Sequence, residues 1–355
     1  MIDYIDIKGY KSIKDQHIEL KPINILIGSN GSGKSNFLSF FEFLEVIYRR
    51  RLSEYHKDKG TNFLLHKGLK VTDTISFEIQ FDNGQNGYYI QMRMGEQGFI
   101  ITDERLIYNG DKGSQQARSN YEANISTTDN YRAKYVKNYL QGLKKYHFHE
   151  TDTKSPLRVN ESNANAEYSF LSKDGHNLAA FLYNIRENFP KHYNRIVYNI
   201  QSVAPFFNDF ILEPNPKTDL IKLRWQDKYS DTVYDSNSLS DGTLRFIALA
   251  TLFLQPNLPN TIIIDEPELG LHPFAIAKLA GMIKGVSTKS QVIVATQSTD
   301  LISHFNPEDI ITVDQRNGET EFIRLDPNIY EDWLKEYTID DLWKRNIISN
   351  GQPNY

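Results

Sequence analysis

The chain has 355 residues, of which 39% are hydrophobic and 24% charged, and its formal net charge is −5. This is the composition of an ordinary soluble globular protein, long enough to bury a real core. The charge argues against a generally basic nucleic-acid coat but leaves room for a local basic patch. With no cysteine, disulfides and cysteine-based zinc sites are excluded, and a cytoplasmic location fits.

The opening, MIDYIDIKGYKSI, alternates apolar and polar residues as a strand does, and it lacks the basic and apolar regions of a signal peptide. Strands are expected at DYIDIKGY (3–10), IEL (18–20) and INILI (23–27). The last runs straight into a glycine-rich stretch at 28–35, and NFLSFFEFLEVIYRR (36–50) follows with helical spacing. Residues 71–110 read as antiparallel β, with a turn at DNGQNG (82–87). Residues 111–130 read as a polar, mobile loop. Helices are expected over 131–147 and 177–203, with a break at Pro190. Strand-like alternation returns over 210–234. A helix at 243–254, a buried strand at TIIIDE (261–266), a helix from Pro273, a strand at QVIVAT (291–296) and two strands near 309–325 follow. Strands alternating with helices at both ends imply an α/β fold with a mostly parallel sheet. The middle adds an antiparallel β subdomain and a helical insert. There is no heptad run for a coiled-coil arm. The apolar run FIALATLFL (246–254) is far too short to span a bilayer, so no membrane partner is expected.

The stretch GSNGSGKS (28–35) matches G-x-x-x-x-G-K-[ST]. Small residues let successive main-chain N–H groups of Gly28, Ser29, Asn30, Gly31, Ser32 and Gly33 turn inward on phosphates. Lys34 would reach the β- and γ-phosphates, and Ser35 would give a hydroxyl to Mg²⁺. A glycine turn capping a helix would look similar; the strand before and the helix after favour the phosphate loop. In TIIIDEPELGLHP (261–273) three isoleucines make a strand buried on both faces. Asp265 emerges at its carboxyl end as a metal ligand, and Glu266 can take a proton from an attacking water. Alone, DE reads equally as a solvated acidic turn. SLSDGTLRFIALATLFL (238–254) puts Ser240 and Gly242 at the start of an apolar helix. Such an end can be a plain serine cap or an anion site.

The order of these motifs resembles an ABC-type ATPase, and specifically the RecF/SMC-like branch. It is most similar there to the stand-alone bacterial predicted-ATPase group, related to the ATPase domain of OLD proteins. The resemblance rests on IDIKGYKSIKD, INILIGSNGSGKSNFL, LSDGTLRFIALATLFLQP, IIIDEPELGLHP and IVATQSTDLISHF. It extends to YHFHETDTKSPLR, DGHNLAAFLYNIRE, VAPFFNDFILEP and WLKEYTIDDLWKRNII. It implies an ABC-type P-loop NTPase core, here a single domain of residues 1–355. A phosphate-loop lobe is expected at 1–70, a β and helical insert at 71–235, and a lobe with signature, Walker B and switch at 236–355. It implies ATP and Mg²⁺ as ligands, with Asn36 completing the phosphate loop. It also implies a homodimer in which Ser240 and Gly242 cover the ATP held by the partner copy. Lys11 matches the family's basic residue near the nucleotide, and equally reads as a surface lysine.

Two positions depart from the family. The switch residue, usually histidine, is Gln297, which can donate to a γ-phosphate without carrying charge, so slow turnover is expected. The Q-loop has no clear counterpart: Gln80 and Gln91 lie in the right region but read as exposed strand residues. His147 and His149 in YHFHE would share one side of a strand beside Glu150, as a metal site or as part of an aromatic strand. Arg49, Arg50 and Arg51 would end a helix, where the dipole favours basic residues, or contact DNA. The expected function is an ATP-hydrolysing homodimeric switch that acts on DNA or controls a separate effector such as a nuclease, in phage defence or DNA repair. A nucleotide-dependent scaffold and a transporter motor are the alternatives. Only 57 residues follow Ser298, so a nuclease is expected on another chain.

Overall fold

The alternation of the first residues folds as a hairpin. In the computed structural model, which describes residues 1–59, 61–159, 161–163 and 169–348, β1 (Ile2–Tyr10) pairs antiparallel with β2 (Ile13–Glu19). Its second strand begins well before the expected IEL. Then come β3 (Ile23–Ile27), buried along its whole length, α1 (Lys34–Tyr48) and α2 (Leu52–Lys59). Phe37, Phe40, Phe41, Leu44 and Ile47 recur at helical spacing on α1 and are all buried. Burying each phenylalanine contributes on the order of 2 kcal/mol. Phe40 meets Phe77 edge-on at 5.0 Å, and Phe43 stacks on Tyr10 at 5.7 Å. Four strands follow: β4 (Thr74–Phe81), β5 (Asn86–Gly95), β6 (Gly98–Tyr108) and β7 (Asp111–Ala117). They extend the hairpin into a six-stranded antiparallel sheet of order β2-β1-β4-β5-β6-β7.

The expected mobile loop over 111–130 is therefore corrected: its first part is the edge strand β7. An edge strand needs no buried alternation, so DKGSQQA carried no strand signal. The rest is fastened by the fully buried Glu104. Its carboxylate accepts from Tyr88 Oη (2.8 Å) and from the main-chain N–H groups of Asn124 (2.9 Å) and Ile125 (2.9 Å). Burial pushes that carboxyl above its ordinary range. Gln80 is corrected as well: it is 3% exposed rather than a surface residue, and donates to Glu78 (3.1 Å). The arginine run lies beyond α1, which ends at Tyr48. Arg49 pairs with Glu45 (2.9 Å) and Arg51 with Glu54 (2.6 Å).

After α3 (Ala133–Gly142) and β8 (Leu143–Tyr146), the segment YHFHE leaves the strand at His147, so the expected strand pairing of its histidines does not form. Among the described residues no group of three or more His, Asp or Glu could hold a metal ion. Next come α4 (Pro156–Val159), β9 (Glu161–Asn163), α5 (Leu178–Asn188) and α6 (Pro190–Val203), with the break at Pro190 as expected. Strands β10 (Phe207–Ile211), β11 (Leu220–Lys222), β12 (Arg224–Asp227) and β13 (Val233–Asp235) lead to α7 (Asp241–Leu254), which is buried from Leu244 to its end. A helix buried on all sides belongs at the centre of its unit, and α6 and α8 (Pro273–Val286) pack against it.

The chain closes with β14 (Thr261–Asp265), which precedes α8, then β15 (Gln291–Thr296), α9 (Thr299–Ile302), β16 (Ile310–Arg316), β17 (Glu319–Arg324), α10 (Glu331–Leu334) and α11 (Ile339–Lys344). The second six-stranded sheet has the order β17-β16-β3-β15-β14-β8. Within it β3 is parallel to both β15 and β16, while β17 runs antiparallel to β16. By its contacts the chain forms two units. The first holds Met1–Lys145, Pro259–Ile263 and Ser290–Tyr355, and the second holds Tyr146–Leu258 and Ile264–Lys289. In this division the antiparallel β region belongs with the phosphate-loop stretch. No described helix is long and apolar enough to cross a membrane, and among the described residues there is no coiled-coil arm: α1, with 15 residues, is the longest helix.

Candidate nucleotide site

In the first unit, residues 28–35 link the carboxyl end of β3 to α1. Gly31 and Gly33 have φ of 79° and 111°, in the region that favours glycine. A side chain on Gly33 would also overlap Thr320, whose Cγ2 lies 2.7 Å from where a Cβ would stand. The Thr320 hydroxyl lies 2.7 Å from Ser12 Oγ and 3.1 Å from Ser32 O, and Asn36 Nδ2 donates to Ser12 Oγ (2.7 Å). The loop is thus braced from β17 and from the β1–β2 turn. Lys34 opens α1, and its ammonium donates back to the carbonyl oxygens of Gly28 (2.6 Å) and Ser29 (3.0 Å). Ser35, next on the helix, is exposed. A glycine cradle at a helix N-terminus with an inward-folded lysine is a fitting receptor for a polyphosphate.

Gln297 is brought to the same loop. Thr296 of β15 is registered against Ile27 of β3, so the next residue stands beside the loop, and Gln297 Nε2 donates to Asn30 Oδ1 (2.8 Å). Lys11 sits in a turn with φ of 49°. Its ammonium donates to Ser39 Oγ of α1 (2.6 Å) and lies 5.9 Å from the Phe63 ring centre. An open cavity of about 550 Å³ is lined by Lys11, Ser12, Asn36, Asn62, Phe63 and Lys67, among others. It adjoins the phosphate loop at Asn36.

In the second unit, Asp265 ends β14 and is half-buried, as is Glu266. Glu266 has φ of 40°, a conformation that costs a residue with a side chain about 1–3 kcal/mol. His149 lies in the field of both carboxylates. Burial holds its imidazole below the usual value against their opposing pull. Ser240 is the N-cap of α7, its Oγ accepting from Thr243 N–H (3.2 Å). Gly242 has a packing role: a Cβ there would overlap the carbonyl oxygen of Gly270, beyond the acidic turn.

Two buried arginines escaped the sequence reading. Arg245 donates to the carbonyl oxygens of Phe148 (3.0 Å) and His149 (2.9 Å). Arg158 donates to the carbonyl oxygens of Ser236 (2.6 Å) and Leu239 (2.9 Å) and pairs with Asp241 (2.6 Å). Arg245 leaves a trace, since a lone arginine directly before FIALATLFL on the same helix must find acceptors when buried. Arg158 leaves none.

The family described as "AAA domain, putative AbiEii toxin, Type IV TA system" matches residues 23–303, most of the chain and every segment just described except Lys11, Ser12 and Thr320. The chain belongs to this family. Its AAA domain and the fold it shares with Smc heads accord with the ABC-type, RecF/SMC-like resemblance. Among solved structures, an Smc head bound to the C-terminal winged-helix domain of ScpA aligns with a TM-score of 0.59 at 18% identity, covering 93% of this chain and 99% of that one. The Smc head with an extended coiled coil, bound to the C-terminal domain of ScpA from Pyrococcus furiosus, gives 0.58 at 17% identity, covering 95% and 99%. Both likenesses show the shared fold. Among curated proteins, "Structural maintenance of chromosomes protein 3" of Arabidopsis thaliana is 37% identical over 92 residues, 24% of this chain and 7% of that protein. "Urease accessory protein 2" of Cryptococcus neoformans var. grubii is 37% identical over 93 residues, again 24% and 7%. The matched stretch thus spans only a small part of either curated relative.

Proposed function

We propose that this family member binds and hydrolyses ATP with Mg²⁺ as a homodimer whose two nucleotide sites are each completed by the partner copy. The carrying observation is the phosphate loop, where Lys34 turns inward onto the Gly28 and Ser29 carbonyl oxygens inside a glycine-shaped cradle. A triphosphate would take over those contacts of the ammonium. By their motifs, Ser35 and Asp265 would each offer an oxygen to Mg²⁺, which when bound neutralises charge on the transferring phosphate. Glu266 accepts the proton of the attacking water. Gln297 would donate its amide to the γ-phosphate. The cavity at Lys11, Asn36 and Phe63 has room for the nucleoside, with an aromatic face for a base. Ser240 and Gly242 would present the N-terminus of α7 to the partner's nucleotide.

The dimer would act as a switch on DNA or on a separate effector such as a nuclease. The toxin–antitoxin wording of the family description supports a defence setting, and DNA repair is the other setting proposed. A slow-turning scaffold is the second reading, favoured by an uncharged Gln297 at the switch position. The test is Glu266→Gln, which removes the general base and leaves the cradle. Phosphate release should stop while ATP stays bound, and the protein should elute as a dimer on sizing with ATP. Lys34→Ala should lose nucleotide binding itself. Wild-type phosphate release by Glu266→Gln refutes the assignment.

A further inference from the structure

The two arginines of the second unit lace one segment to another. Arg245 of α7 reaches the main chain at 148 and 149, and Arg158 of α4 reaches back to the turn that enters α7. Arg158 is 6% exposed and uses nearly its whole fork. Nε donates to Thr151 O (3.0 Å), one terminal nitrogen to Ser236 O and Leu239 O, and the other to Asp241 Oδ1. Ser236 Oγ returns a hydrogen bond to Arg158 O (2.5 Å). A planar guanidinium with five donors can satisfy such a set; an ammonium on a flexible stem cannot.

The bonds fall on both sides of one residue. The carbonyl of Leu239 precedes Ser240 and the carboxylate of Asp241 follows it, so a single guanidinium fixes both neighbours. Ser240 itself has φ of −64° and ψ of 155°, outside the helix; its remaining bonds run forward into α7, to Thr243 and, through its carbonyl, to Leu244 N–H (3.0 Å). We propose that Arg158 is the positioning residue of Ser240: it holds the 236–241 turn in the one conformation that presents the serine hydroxyl and the start of α7 to a second copy's nucleotide. This rests on the reading of Ser240 given above. It makes the 147–159 segment part of the nucleotide switch rather than a passive connection.

The experiment compares Arg158→Ala, Arg158→Lys and Asp241→Asn in the full chain. Binding of a fluorescent ATP analogue should stay within about twofold of wild type, because these variants leave the phosphate loop intact. For Arg158→Ala, kcat should fall about a hundredfold at unchanged KM, the scale of a misplaced group in a reacting site. Arg158→Lys should recover only part of it, and Asp241→Asn should lose about threefold, since it keeps the carbonyl bonds. Amide hydrogen exchange across 236–245 in nucleotide-free protein should speed up about tenfold in Arg158→Ala. Wild-type kcat with wild-type exchange in Arg158→Lys overturns the proposal. So does an Arg158→Ala protein that loses analogue binding in step with kcat, which would show a folding role. If Glu266→Gln fails to dimerise with ATP, the shared-site reading falls by itself, and the exchange data alone then decide whether Arg158 orders the turn.

Discussion

Replacing Ser240 by aspartate separates a capping serine from one that faces nucleotide. In the monomer the change is nearly silent. Ser240 Oγ accepts from Thr243 N–H at 3.2 Å, and aspartate caps a helix as well as serine does. The helix dipole adds about 0.3–1 kcal/mol for the new carboxylate, which repulsion from Asp241 offsets, so the net change stays within about 0.5 kcal/mol. Across a composite site the same carboxylate meets a triphosphate. Two like charges about 4 Å apart at an effective dielectric of about 20 repel by about 4 kcal/mol, a loss of about a thousandfold in association. The assay has three arms: analogue binding by the monomer, sizing with saturating ATP, and phosphate release. Binding should persist, while dimerisation and release should both fail. Mixing Ser240→Asp with Lys34→Ala should restore part of the activity, since one site of the mixed dimer pairs an intact loop with an intact cap. Wild-type phosphate release and thermal stability in Ser240→Asp alone would reduce Ser240 to a cap and remove the shared site.

Gly33→Ala forces a Cβ at φ of 111° against Thr320, so calorimetry should show a loss of about 1–3 kcal/mol together with weaker analogue binding. Gly242→Ala gains about 1 kcal/mol of helix propensity but drives a methyl into the Gly270 carbonyl, a backbone atom that cannot swing away. It should melt lower than wild type and hydrolyse more slowly, and a higher melting point would refute the packing role. His149 titrates below its usual 6.5 because burial penalises the imidazolium. A depressed basic pKa gives stability that is present above 6.5 and lost as pH falls through 6.5 toward the folded value. Melting curves from pH 7.5 down to 5.5 should therefore fall more steeply for wild type than for His149→Asn.

The sequence made most of the architecture legible because strand, glycine loop and helix follow one another with clear periods. INILI, TIIIDE and QVIVAT are apolar on both faces and lie inside the second sheet, where INILI and QVIVAT pair in parallel. DKGSQQA was missed because an edge strand owes its place to a neighbour's hydrogen bonds, not to its own side chains. YHFHE misled in the opposite direction: its alternation survives as burial of Phe148 between two half-buried histidines, without a strand. At the candidate site, the phosphate loop and Gln297 were visible as residue types at fixed spacing. Arg158 was not, since three of its four acceptors are main-chain oxygens, two of them about eighty residues away, which leave no residue-type signature.

The placement of β3 between β15 and β16 sets the order in which this chain can fold. The hairpins β4–β5, β5–β6 and β6–β7 join near neighbours in sequence and form early. β3 must wait for partners that are synthesised far later, and the Gln291 side chain that grips the main chain of Ile2 does so across 289 residues. Until then INILI is an unpaired apolar strand with the phosphate loop hanging from its end. On the ribosome, at about 5–20 residues per second, that exposure lasts on the order of tens of seconds. Nucleotide arriving in that interval finds no formed cradle. On the function proposed above, ATP would meet the phosphate loop only after β15 and β16 are in place, and a nascent chain stalled before β15 is an aggregation hazard.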